Sequence, residues 1–180
     1  MYARILNTSQ FVARSLNKES TMARSPAGTG GDFLAKKSGL TRARQTIPVL
    51  KDVVVVDDEA IDSDRMLATL RVMFGYDVSV RAAATVAQAI DLVIARRPDV
   101  IFLDDILKPS DDATQTIPFL RRTGYTGPIV VISGQVTRNR KMALMTAGAT
   151  EVIHKDDVDS VRLTETLQRV FKAASGESPA

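Results

Sequence analysis

Val53-Val54-Val55-Val56-Asp57-Asp58-Glu59 is a run of four β-branched aliphatic residues closed by three acids. An aliphatic run with no polar alternation is what a strand shows when both of its faces are covered. Working outward, further strand signals appear at 78–80, 100–103, 129–132 and 152–154. Helical patterns separate and follow them at 62–74, 85–96, roughly 116–123, 137–147 and 159–173. Gly75 is a C-cap signal for the first helix, and Thr85 with Gln88 forms a capping-box pattern for the second. Leu163, Leu167, Val170 and Phe171 recur at helical spacing and line one stripe of the last. Pro118 argues for a short third helix beginning near Thr116, preceded by a long loop over 106–116.

Five strand–helix units in series predict a parallel sheet covered on both faces. The second strand alternates (Asp77, Val78, Ser79, Val80, Arg81) and the fifth is short, so these two belong at the edges. The expected fold is α/β, a flavodoxin-like doubly wound (βα)5 with strand order 2-1-3-4-5. Its ligand crevice lies at the carboxyl ends of strands one and three.

Composition narrows the function classes. The chain has 180 residues, 44% hydrophobic and 25% charged, with no cysteine and one histidine, His154. That excludes disulfides and thiolate metal sites, argues against a histidine-based zinc centre, and fits a cytoplasmic protein. The net charge of +3 conceals an asymmetry. Residues 1–51 carry nine Lys or Arg against two acids, and residues 52–180 carry fifteen against nineteen. We therefore expect a basic flexible arm over 1–47, a folded domain over 48–174 and a tail over 175–180. Ser25-Pro26-Ala27-Gly28-Thr29-Gly30-Gly31 marks a linker within the arm. The arm has little aromatic interleaving, which argues against nucleic acid, and no run is long enough to span a membrane.

The chemistry-bearing residues follow the strands. Asp57-Asp58-Glu59 ends the first, Asp104-Asp105 the third, Ser133-Gly134 the fourth, and His154-Lys155 the fifth. A parallel sheet brings these ends to one rim. Carboxylates crowded together repel, and a hard cation such as Mg²⁺ neutralises them. A lysine and a hydroxyl suit phosphoryl oxygens, and an aspartate can act as the nucleophile. The pattern reads as a Mg²⁺-dependent aspartyl-phosphate site.

These segments, with Phe102-Leu103-Asp104-Asp105-Ile106-Leu107-Lys108-Pro109 and Ala147-Gly148-Ala149 leading to Lys155, resemble the receiver domain of two-component response regulators. The resemblance covers about 50–174. It implies Asp105 as phosphoacceptor, since the family's acceptor precedes a proline by four residues, as Asp105 precedes Pro109. Asp104 is the alternative. It further implies that Asp58, Asp105 and the backbone carbonyl of Leu107 ligate Mg²⁺ and that Asp57 acts through a water. Ser133 and Lys155 hold phosphoryl oxygens, Gly134 leaves room for the group, and Leu107 and Gln135 tune its hydrolysis. His154 reads as a strand-end residue beside the site.

The chain departs from the family pattern at three places. Asp156 follows Lys155 where a proline is usual. Val152 stands where the family's switch aromatic lies, and Asp111-Asp112-Ala113 replaces a glycine-containing turn. Without the aromatic, activation is expected to pass through the 133–135 backbone and the start of the fourth helix.

The resemblance implies a single-domain bacterial response regulator with an N-terminal extension and no separate output domain. It would be phosphorylated by a sensor histidine kinase or a histidine phosphotransfer protein and would signal to a downstream protein, with a homodimer as a further arrangement. It would catalyse only its own phosphorylation and dephosphorylation and would not be a conventional enzyme. Rival readings are a phosphate sink or phosphorelay intermediate, a non-phosphorylated scaffold, and an aspartyl-nucleophile phosphohydrolase. The last usually needs an acid two residues after the nucleophile, a place that Leu107 occupies.

Overall fold

The structure, a computed structural model, describes residues 47–108 and 111–174. The expected arm, apart from Ile47, the tail and Pro109 lie outside these residues. Five parallel strands form one sheet: β1 (Asp52–Val56), β2 (Ser79–Ala83), β3 (Val100–Asp104), β4 (Ile129–Ser133) and β5 (Glu151–His154). Their order is β2-β1-β3-β4-β5, the order expected for the flavodoxin-like fold. The central strands β1, β3 and β4 are buried along their whole length.

The helices are α1 (Ala60–Phe74), α2 (Val86–Ala95), α3 (Ala113–Arg122), α4 (Arg138–Ala147) and α5 (Ser160–Ala174). The sheet separates two core layers. Val53, Val55, Val100 and Phe102 pack with Met66 and Leu70 of α1 and with Leu163 and Leu167 of α5. Val54, Val56, Ile101 and Leu103 pack with Val93 of α2, Ile117 and Leu120 of α3 and Leu144 of α4. Successive residues of one strand thus serve opposite layers, as the pleat requires. Ile47 and Leu50 join the first layer, so the domain's packing begins inside the segment read as arm.

Local signals account for most helix boundaries. Thr85 accepts the Gln88 N–H at 3.2 Å, and the Gln88 side chain reaches back to the Ala84 N–H at 2.9 Å, one residue beyond the usual box. Gly75 and Gly148 close α1 and α4 with positive φ, which suits glycine. The third helix differs from expectation. It starts at Ala113, because the Asp112 carboxylate caps it through the Thr114 N–H at 2.7 Å. Pro118 lies inside the helix, where it withholds only the hydrogen bond that Thr114's carbonyl would otherwise accept. The segment before it, read as a long loop, contains a two-residue antiparallel ribbon, Ile106–Leu107 against Asp111–Asp112.

At the amino end of the sheet, buried Asp52 holds Arg81 and Arg96, the latter at 2.6 Å. Arg81 also donates to the Leu92 carbonyl at 2.6 Å, so the network ties β1 and β2 to α2. Removing one partner of a buried pair leaves an uncompensated charge. Asp52→Ala is expected to lower the unfolding free energy by about 3 kcal/mol, read from urea melts monitored by circular dichroism.

Candidate functional site

Alternation along the strands sorts the acids before any side chain is placed. Phe102 faces the α1/α5 layer and Leu103 the opposite one. The next two residues, Asp104 and Asp105, therefore diverge. The Asp105 N–H still donates to the Ile132 carbonyl at 2.9 Å, which keeps it in strand register just beyond β3. The constellation expected to form one site accordingly divides into two neighbouring groups.

The first group lies on the α1/α5 side. Asp57, Asp58 and Asp104 each offer a carboxylate oxygen, and these atoms lie within 4.8 Å of one another. Lys155 follows β5 directly, and its Nζ lies 3.2 Å from Asp104 Oδ1 and 3.9 Å from Asp57 Oδ2. Asp62, on the first turn of α1, accepts from the same ammonium at 2.8 Å. Burial raises the Asp104 pKa to about 6, the charge of Asp57 adds to the rise, and Lys155 offsets part of it. Burial likewise raises Asp57. For Lys155 burial acts downward, but Asp62, Asp104 and Asp57 outweigh it and raise the ammonium above its ordinary value.

The second group lies on the α4 side. Asp105 is 6% exposed and accepts from Ser133 Oγ at 2.7 Å. Arg140, near the start of α4, places Nε 3.1 and 3.2 Å from the two Asp105 oxygens and Nη2 2.5 Å from Oδ1. The same Nη2 lies 2.9 Å from Asp112 Oδ1. Hydrogen bonds to Asp105 and Asp112 raise the guanidinium's pKa.

Both groups open on one cleft of about 660 Å³, lined among others by Asp104, Asp105, Ser133, Gly134, Arg140 and Lys155. Lys108 stands at its mouth, 2.8 Å from Glu59 and 3.7 Å from Asp58.

A family model described as the response regulator receiver domain matches residues 53–168. The chain belongs to that family. Response regulator MprA of Mycobacterium sp. (strain KMS) is 29% identical over 131 residues, covering 71% of this chain and 55% of its own length. The chain thus spans about half the length of the curated relatives it matches first. Among solved structures, the signal receiver domain of NarL from Mycobacterium tuberculosis aligns with a TM-score of 0.59 at 24% identity, over 72% of this chain and all of its own. A response regulator protein from Burkholderia pseudomallei, solved with a phosphorylated aspartic acid, calcium ion and citrate, aligns with a TM-score of 0.59 at 20% identity, over 71% of this chain and 73% of its own. These structural likenesses show the shared receiver fold.

Within the receiver, the acid cluster could hold a metal ion. Asp58 Oδ1 is buried without a hydrogen-bond partner, an orphaned anion oxygen of the kind a cation satisfies. Asp57 and Asp58 fall in this cluster as expected. Asp105 does not: the structure gathers Asp104 with them and turns Asp105 to Ser133 and Arg140. Leu107 sits in the short ribbon with its side chain buried in the second layer. His154 accepts the Asp156 N–H through Nδ1 at 3.1 Å, which makes it the cap of the turn after β5. Sequence reasoning missed Asp62, Asp112 and Arg140. The spacing of Asp62, four residues after Asp58, was the available signal for one of them. Nothing distinguishes Arg140 from Arg138 and Lys141 beside it.

The raised Asp104 carboxyl has a definite sign in stability. A pKa above the unfolded value favours folding below about pH 4, and that contribution is lost as pH rises through about 6. In metal-free buffer, Asp104→Asn is expected to be more stable than wild type at pH 8 by up to about 3 kcal/mol. The difference should close toward pH 4. Denaturant melts across pH 4–8 in EDTA measure it. A wild type that remains the more stable protein at pH 8 would show that the Lys155 ion pair outweighs burial.

Proposed function

We propose that this receiver accepts a phosphoryl group on Asp104 from a sensor histidine kinase or a histidine phosphotransfer protein, with Mg²⁺ bound. The observation that carries this reading is the placement of the Asp104 carboxylate, which shares a cluster with Asp57 and Asp58 and lies 3.2 Å from Lys155. The phosphorylated aspartic acid and calcium ion of the Burkholderia pseudomallei protein support the same chemistry. Counting back from Pro109 points instead to Asp105, but Asp105 is already bound by a guanidinium fork that blocks attack on an incoming phosphorus.

A carboxylate oxygen of Asp104 attacks phosphorus. The new O–P bond forms as the donor's N–P bond breaks, and the electron pair passes to the imidazole nitrogen, which takes up a proton. Asp57, Asp58 and Asp104, whose carboxylate oxygens lie within 4.8 Å of one another, would hold the ion. Bound there, Mg²⁺ supplies charge neutralisation to the transferred oxygens. Lys155, oriented by Asp62, donates to one phosphoryl oxygen, and Ser133 turns from Asp105 to donate to another. The modification is of the protein itself, so the receiver acts as a switch in a cytoplasmic relay and not as an enzyme of turnover. The output passes through contacts with a downstream protein or a second copy of the chain.

Incubation with acetyl phosphate and Mg²⁺, read by intact mass, tests this. Wild type is expected to gain one phosphoryl group, and EDTA to abolish the gain. Asp104→Asn should remain unlabelled and Asp105→Asn should be labelled. Lys155→Ala should lower the labelling rate at least tenfold. Labelling of Asp104→Asn at the wild-type rate, with none of Asp105→Asn, would move the acceptor to Asp105.

A further inference from the structure

We propose that Asp105 and Arg140 form an ionic latch that holds Ser133 and the first turn of α4 in the unphosphorylated arrangement, and that phosphoryl transfer opens it. The proposal rests on Asp104 being the acceptor.

The latch joins three elements through one side chain. Arg140 belongs to α4, whose first turn is capped by Thr137 Oγ1 accepting the Arg140 N–H at 3.2 Å. Its guanidinium grips both oxygens of Asp105 at the end of β3 and reaches Asp112, the N-cap of α3. Ser133 is tied to the same acid, and its Oγ also accepts the Gln135 N–H at 3.1 Å, so the β4–α4 turn is fastened with it. A buried carboxylate without these partners would be strongly destabilised, which keeps the arrangement closed in the absence of a competing anion.

Phosphorylation introduces that anion. It places a group of nearly two negative charges in the cleft that Ser133 and Arg140 line. Lys155 is already shared among Asp57, Asp62 and Asp104. The remaining donors beside the cleft include the Ser133 hydroxyl and the Arg140 fork, both suited to phosphoryl oxygens. Ser133 exchanges its Asp105 acceptor for a phosphoryl oxygen. Arg140 keeps Nε on Asp105 and turns Nη2 to the new anion. Three contacts are broken: Ser133 to Asp105, and Arg140 Nη2 to Asp105 Oδ1 and to Asp112. The contact with Asp112 had tied α4 to the cap of α3, so the first turn of α4 is free to move.

This arrangement supplies a polar route from site to surface in a chain where Val152 replaces the aromatic that the family resemblance implies. Val152 is buried in the α4 layer and offers no ring to reorient.

Nitrogen–proton correlation spectra of the full chain, with and without beryllium fluoride and Mg²⁺, test the latch, because the Arg140 Nε–H is observable directly. The probe is expected to shift the amides of Asp104 and Lys155, and with them the Arg140 Nε–H, the Thr114 amide at the α3 cap and the amides of 135–141. In Arg140→Gln without the probe, the 135–141 amides should already lie more than halfway toward the wild-type activated positions. Arg140→Lys, which keeps the charge and loses the fork, should fall between. If Asp104 and Lys155 shift while the Arg140 Nε–H and Thr114 stay fixed, the latch is wrong, and the labelling of Asp104→Asn and Asp105→Asn decides the acceptor separately. If Asp104 and Lys155 do not respond, the acceptor assignment fails and the latch with it. Shifts in Arg140→Gln that do not follow the activation direction would reduce Arg140 to a structural ion pair. Should that variant not fold, the wild-type Arg140 Nε–H decides the question.

Discussion

A strand buried on both faces must send successive side chains into opposite layers, and the chemistry of this receiver follows from that constraint. Two adjacent aspartates at the end of β3 cannot share one environment. Phe102 commits Asp104 to the side of α1 and α5, where Asp57 and Lys155 also lie. Leu103 commits Asp105 to the side of α4, where Ser133 continues the face set by Val131. The peptide between them thus separates an acid cluster that could hold a metal ion from a hydrogen-bonded group with no change in fold.

The same rim must then balance its charge. Each buried or half-buried carboxylate needs a cation or donors, because desolvation disfavours the ionised form. The structure gives Lys155 to Asp57, Asp62 and Asp104, Arg140 to Asp105 and Asp112, and Lys108 to Asp58 and Glu59. This allocation is incomplete at one point. Asp104 stays elevated despite its lysine, and Asp58 keeps an oxygen with no partner. The deficit is local to the three acids that face one another, and it is of the kind a divalent cation could close. The Asp105 group has no such deficit, since a guanidinium fork, a hydroxyl and a second acid complete one another.

The fold was legible because its signals are periodic and local. Continuous aliphatic runs mark the central strands, the alternation at 77–81 marks an edge, and Gly75 and Thr85 mark helix ends. The gathering of Asp57, Asp104, Asp105, Ser133 and Lys155 at one rim was legible because a parallel sheet sends every strand end to the same edge. The division of that list was not. Val100-Ile101-Phe102-Leu103 is apolar on both faces, so the sequence carries no polarity to say which layer each residue serves. A count from Pro109 supplied the register in place of that missing signal. The count assumes a connection of fixed length, whereas this chain builds a two-residue ribbon and an early helix start between β3 and α3. Arg140 was illegible for a related reason, since its role depends on how α4 lies over the rim and not on its neighbours in sequence.

The apolar character of Val152 completes this picture. It pairs in register with Val131, two residues before Ser133, and is buried in the layer that also contains Leu144 of α4. An aliphatic side chain there contributes packing that is nearly indifferent to charge at the rim, because dispersion contacts carry no sign and fall off within an ångström or so. A phosphoryl group differs from a carboxylate mainly in charge and in acceptor number. Only groups that respond to those two properties can distinguish the states. On the α4 side such groups include Ser133, Asp105 and Arg140, which are in mutual contact and reach from the strand ends to the first turn of the helix. On the proposed reading, Val152 and the guanidinium therefore belong to one physical solution, in which information would leave the site through hydrogen bonds that an added anion can redirect.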